Sequence, residues 1–96
     1  MNKSRRKELY AVANKLLLLK QADDDNIETE LDVIKSELDM ILYDEESSMD
    51  NIPENLQNSY RYQVAEEACN NIENAIDALD DRDIDEAINC IYGATV

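Results

Sequence analysis

The chain has 96 residues, with 9 Lys and Arg against 23 Asp and Glu for a formal net charge of −14, and it contains one Gly, one Pro, no Trp, no Phe and no His. So few turn formers among so many helix formers fit one all-α domain, and the recurrence of Leu, Ile, Val and Ala favours a folded assembly over disorder. Without His and with one Gly, His-based catalysis, His-containing metal sites and Gly-rich phosphate loops are excluded.

Residues 1–20 hold six bases (Lys3, Arg5, Arg6, Lys7, Lys15 and Lys20) and one acid (Glu8), while the other 76 residues hold three bases and 22 acids. The body is therefore strongly acidic, which disfavours bare nucleic acid and favours basic surfaces. Ser4 is positioned to cap a first helix, over about 4–21, whose apolar positions Leu9, Val12, Leu16 and Leu19 step as a heptad seam. Ala13 and Leu17 widen that stripe, and Leu18 falls off it, towards a second surface. The run Leu16 to Leu19 is far too short to span a bilayer, and the interruption at Asn14 and Lys15 argues against a signal peptide. The basic start has a second reading, an arm that contacts phosphates.

Residues 22–26 read either as an interhelix turn or as an acidic segment of one long helix, and Asp25 with Glu28 resembles a capping box. The alternating ligands, central Gly and closing Glu of a calcium loop are missing, so no metal site is expected there. From Ile27 the pattern sharpens. Ile27, Leu31, Ile34, Leu38 and Ile41 step by 4, 3, 4 and 3 in a helix over about 26–49, with Val33, Met40 and Leu42 beside the seam. Its other faces are acidic and relieved only by Lys35.

The segment 50–59 holds the only proline. Pro53 lacks a donor and restricts Ile52, so the preceding helix must stop by about Asn51. A single turn over Pro53 to Leu56 is expected, pinned to the core by Ile52 and Leu56, and Asn58 or Ser59 caps the next helix. That helix, over about 59–80, carries Ala65, Cys69, Ile72, Ile76 and Leu79 in the same 4, 3, 4, 3 spacing. Two matching seams across a short bend make an antiparallel helical hairpin, or a coiled-coil-like bundle of three to four helices once the ends are included. After the break at Asp80 to Asp83, Asp83 and Glu86 form an N-cap pair for a last helix over about 84–92, which Gly93 ends.

Cys69 and Cys90 stand at apolar positions 21 residues apart, without a CxxC pattern, and read as reduced core thiols. Tyr43, Tyr60, Tyr62 and Tyr92 lie near helix ends, where such rings cover the edge of a core. No carboxylate pair stands out as an acid–base couple, so neither a catalytic residue nor a cofactor is assigned.

The start Met1-Asn2-Lys3-Ser4-Arg5-Arg6-Lys7 and the bend Asp50-Asn51-Ile52-Pro53-Glu54-Asn55-Leu56-Gln57-Asn58-Ser59 are the first two parts of a wider pattern. The others are Arg61-Tyr62, Ala65-Glu66-Glu67-Ala68-Cys69 and Ala75-Ile76-Asp77-Ala78-Leu79. Together they resemble small acidic helical proteins of phages and mobile elements in gut bacteria. The resemblance implies an accessory factor acting in the cytoplasm of a bacterial host, and no catalytic residue comes with it.

The expected function is a non-catalytic interaction protein that binds and blocks a host nucleic-acid-handling or defence protein through a basic surface, mimicking nucleic-acid charge. Its partner-binding residues are Glu37, Asp39, Asp44, Glu45, Glu46, Asp50, Glu66 and Glu67. The alternatives are a structural or assembly factor, and nucleic-acid binding by the basic start. Assembly as a homodimer is expected through Ile27, Leu31, Ile34, Leu38, Ile41, Cys69, Ile72, Ile76 and Leu79, because the seams are long for the core that one hairpin encloses.

Overall fold

The computed structural model describes residues 2–21 and 27–95. The turn-or-helix question at residues 22–26, and the cap drawn there from Asp25, lie outside the described residues. Four α-helices follow one another: α1 (Lys3–Gln21), α2 (Ile27–Asp50), α3 (Tyr60–Asp80) and α4 (Ile84–Ala94), with a 3₁₀ turn at Glu54–Leu56. α2 packs on α1 and α3, and α4 packs on α3 and α1. Each neighbouring pair is antiparallel. Lys15 meets Glu37 between α1 and α2, Lys35 meets Asp80 between α2 and α3, and Lys20 meets Asp85 where α1 ends and α4 begins. The result is an elongated up-and-down four-helix bundle, 50 × 22 × 18 Å.

The seams form a core within one chain. Leu9, Leu16, Leu38, Ile72 and Ile91 are fully buried, and Leu31, Ile34, Ile41, Cys69 and Leu79 are buried around them. Ile27 and Ile76 are half-buried at the edge. The expectation that a second copy covers these residues is therefore corrected: α1 and α4 supply the missing layer, and the seam is already shielded. Any dimer of this chain closes over a surface other than the seam. Ala68, Ala75, Ala87 and Ala94, all buried, keep the α3 and α4 side thin and let the two axes approach.

The helix ends are set by local chemistry. α1 is capped by Asn2, not Ser4, because the Asn2 Oδ1 accepts from the Arg5 N–H at 2.8 Å. α2 ends at Asp50, and the Leu56 N–H closes the following turn on the Pro53 carbonyl at 2.8 Å. Leu56 does not pin this turn, being half exposed, and Ile52 is only half-buried. Ser59 caps α3 by accepting from the Tyr62 N–H at 3.3 Å. Asp83 caps α4 by accepting from the Glu86 N–H at 3.1 Å, while the Glu86 carboxylate accepts from the Cys90 thiol instead of closing a capping box.

Between α3 and α4, the Arg82 N–H reaches the Leu79 carbonyl at 3.0 Å and the Asp83 N–H reaches the Ala78 carbonyl at 2.8 Å. These are the two bonds of a Schellman turn, whose left-handed position is normally a glycine. Here Arg82 occupies it, with φ 60. The glycine expected to end α4 lies inside that helix, which continues to Ala94 and is closed by Thr95. Gly93 instead accommodates α3, since a Cβ at this position would come within 3.2 Å of the Asn71 side chain.

Arg82 pairs with Glu28, but both side chains are well exposed, so the pair offsets little of the backbone strain. Arg82→Gly should therefore stabilise the fold by about 0.5–1 kcal/mol, read as a higher urea midpoint at unchanged slope. A lower midpoint would show that the Glu28 contact outweighs the left-handed backbone.

Candidate functional site

Among the described residues, at least five of the nine bases are used between helices or at a helix junction. Arg5 holds Glu45, Lys15 holds Glu37, Lys20 holds Asp85, Lys35 holds Asp80, and Arg82 holds Glu28. Lys35 also reaches Asp32 at 3.1 Å, and the hydrogen bonds it donates to Asp80 and Asp32 raise its pKa. The acids on the outer faces are left with few bases to offset them.

The eight carboxylates expected to bind a partner do not share one surface. Glu45 is 1% exposed, and its Oε2 accepts from the Arg5 Nε at 2.6 Å, while Arg5 Nη2 donates to the Ser48 Oγ at 2.9 Å. Glu45 thus belongs to the interior and is removed from the binding set. The reason is register: the α2 seam that ends at Ile41 continues to Glu45 and Ser48, and the α1 seam extended backwards from Leu9 arrives at Arg5. α4 lies along α1 with Asp85 beside Lys20 and Tyr92 beside Tyr10 and ends two residues later at Ala94, so the turn that carries Arg5 extends past its end. A polar layer replaces the aliphatic one there.

Glu37 and Asp44 line the groove between α1 and α2, with Glu37 tied to Lys15 at 2.8 Å. Glu67 lies towards α4, close to Gly93 and Ala94. Asp39, Glu46 and Asp50 on α2 and Glu66 on α3 fall on the outer side of the α2/α3 pair, as do Asp32, Glu73, Asp77 and Asp80, which the expected set omitted. Lys35 bridges the two helices on this side, and Glu46 and Glu73 both act on Cys69 between them. The helical arithmetic held the missing signal: Asp32, Asp39 and Glu46 are seven residues apart, as are Glu66, Glu73 and Asp80, so each trio forms one row.

The basic start is part of a helix. Lys3 to Lys7 form the first turns of α1, and Arg5 of this basic start is engaged with Glu45 and Ser48. Leu18 is exposed, as its off-seam position predicts. Tyr43 and Tyr60 are more than two-thirds exposed and cover no core edge.

Both thiols are buried and free. Burial, followed by the charges of Glu45, Glu46 and Glu73, pushes the Cys69 thiol up to about 11. Burial and the Glu86 hydrogen bond raise that of Cys90. Neither is a ready nucleophile at neutral pH. Among the described residues no group of three or more His, Cys, Asp or Glu is arranged to hold a metal ion, and no helix is long and apolar enough to cross a membrane. Comparison with protein-family models, with curated proteins and with solved structures gives no match.

Two expectations follow from the buried polar groups. Arg5→Met leaves the Glu45 carboxylate short of its main counter-charge and should cost about 3 kcal/mol or more, with Arg5→Met/Glu45→Leu recovering most of it, as read by urea denaturation. A loss of under about 1 kcal/mol for the single variant would show that the layer is dispensable. For Cys69, the unfolded thiol ionises from about pH 9 while the folded one keeps its proton to about 11. Stability is therefore fully present below that window and falls as pH rises through it. Cys69→Ala should flatten the decline, and an unchanged pH profile would contradict the assignment.

Proposed function

We propose that this chain is a non-catalytic acidic interaction protein that docks the outer side of α2 and α3 onto a basic protein surface in place of nucleic-acid phosphates. The observation that supports it is the pair of carboxylate rows, Asp32, Asp39 and Glu46 on α2 and Glu66, Glu73 and Asp80 on α3, joined by Asp50 and Asp77 and offset by Lys35. At 1.5 Å per residue these carboxylates spread along about 27 Å, or about one charge per 3–4 Å of axis. A strand of duplex DNA carries one per about 3.4 Å. The density is thus that of one nucleic-acid strand, on a scaffold that cannot be cut as one.

The resemblance to phage and mobile-element proteins supports a target among the nucleic-acid-handling or defence proteins in the cytoplasm of a bacterial host. Such a target approaches through long-range attraction, and its complex weakens as salt screens the carboxylates.

The test is capture from a bacterial lysate on the immobilised chain, compared with an Asp39→Lys/Glu66→Lys/Glu73→Lys variant whose changes are all at exposed positions. The wild type should retain a nucleic-acid-binding protein that moderate salt releases, and should compete with DNA for it, while the variant retains about tenfold less. Equal retention by the two, or retention insensitive to salt, would contradict the reading.

A further inference from the structure

A second surface lies on the opposite flank of α2, along the groove that this helix forms with α1. Leu18, Val33 and Met40 are exposed here at 67%, 54% and 70%. They border two adjacent clefts, one of 470 Å³ beside Leu18, Val33 and Glu30, the other of 260 Å³ beside Ala11, Met40 and Asp44. The Lys15–Glu37 pair stands between them and lines the first, with Glu37 shared by both. Leu19, Ile34, Val12 and Ile41 contribute the apolar floor.

The charge around this groove is one-sided. Among the described residues Glu8, Glu30, Glu37 and Asp44 line it against one base, Lys15, which is already engaged with Glu37. Glu30, Glu37 and Asp44 are again seven residues apart, as are Val33 and Met40, so an acidic row runs alongside an apolar one. A second copy of the same groove would bring acid against acid in a chain of net charge −14. A helix with an apolar stripe between rows of Lys or Arg satisfies both rows at once.

We infer that the α1/α2 groove is a docking site for a basic amphipathic helix of a partner protein, which seats two large apolar side chains one heptad apart, one in each cleft. Val33 and Met40 are separated by about 10 Å along α2, the rise of seven helical residues, which sets the spacing of the two anchors. Bases flanking the anchors meet Glu30, Asp44 and Glu8. The site does not depend on the α2/α3 rows, which lie on another side of α2.

The experiment is a selection from a displayed library of helical peptides of about 16 residues, enough to cover the groove, against the full chain. The enriched peptides should carry two large apolar residues one heptad apart with Lys or Arg on both flanks. Their binding should fall about tenfold or more in Val33→Asp, in Met40→Asp and in Glu30→Lys/Asp44→Lys, and should hold in Asp77→Lys on the outer side of α3. All of these positions are exposed, and circular dichroism of each variant is the control for folding. The inference is overturned if nothing is enriched, if the enriched peptides lack basic flanks, or if their binding ignores the groove variants. It is also overturned if the wild type sediments as a dimer that Met40→Asp converts to a monomer, since the groove would then belong to a second copy.

Discussion

The Arg5–Glu45 pair fixes the register of α1 against α2, the helix that carries a row of carboxylates on each flank. Both residues occupy positions that the heptad pattern reserves for the core, and they meet at 2.6 Å with Glu45 fully enclosed. A buried ion pair seldom adds net stability over an apolar pair of the same size, but breaking or misaligning it is costly. Sliding α1 along α2 by one turn would leave the Glu45 carboxylate facing aliphatic side chains and the Arg5 guanidinium stranded. The pair therefore penalises alternative registers of two helices whose aliphatic seams are otherwise interchangeable, as a polar core residue does in a coiled coil.

The other ties follow the same economy. The acidic helices α2, α3 and α4 repel one another, α1 alone being basic, and like charges at helical spacing cost a few tenths of a kcal/mol per pair. Lys15, Lys35 and Lys20 stand at the α1/α2, α2/α3 and α1/α4 contacts, where each neutralises acids from an adjoining helix. These exposed pairs add little stability individually. Their main consequence is distribution: bases gathered at the junctions leave α2 and α3 with rows of carboxylates in which Lys35 engages Asp32 and Asp80 while Asp39, Glu46, Glu66 and Glu73 face outwards. The aliphatic core supplies the cohesion, and the outer charge is free to act on other molecules.

The core was legible because its positions recur every three and four residues over several turns. Leu31, Ile34, Leu38, Ile41, Cys69, Ile72 and Leu79 all lie where the periodicity puts them. What covers them was harder to read. α1 carries a comparable seam and α4 a short one, yet their closure onto the hairpin depends on how the chain turns, which periodicity does not encode. Glu45 was misplaced because residue type was weighed above position, although a continued heptad count reaches it. Gly93 and Arg82 exchange the roles that propensity gives them. Gly93 is explained by the nearness of Asn71, while the left-handed turn tolerates Arg82 because the Ala78 and Leu79 carbonyls are satisfied there. The acidic face was legible in part, since Asp39, Glu46, Asp50 and Glu66 belong to it, but separating it from the groove carboxylates required knowing which side of α2 each neighbouring helix takes.

The central claim is that the carboxylates of α2 and α3 form a single charged surface on which a basic partner settles. Nuclear magnetic resonance titration of the folded chain with an oligolysine peptide tests it most directly. Amide shifts should concentrate at Asp39, Glu46, Glu66, Glu73 and their neighbours, and should fade together as salt is raised. Shifts spread evenly over every acidic residue, or centred on α4, would contradict the account.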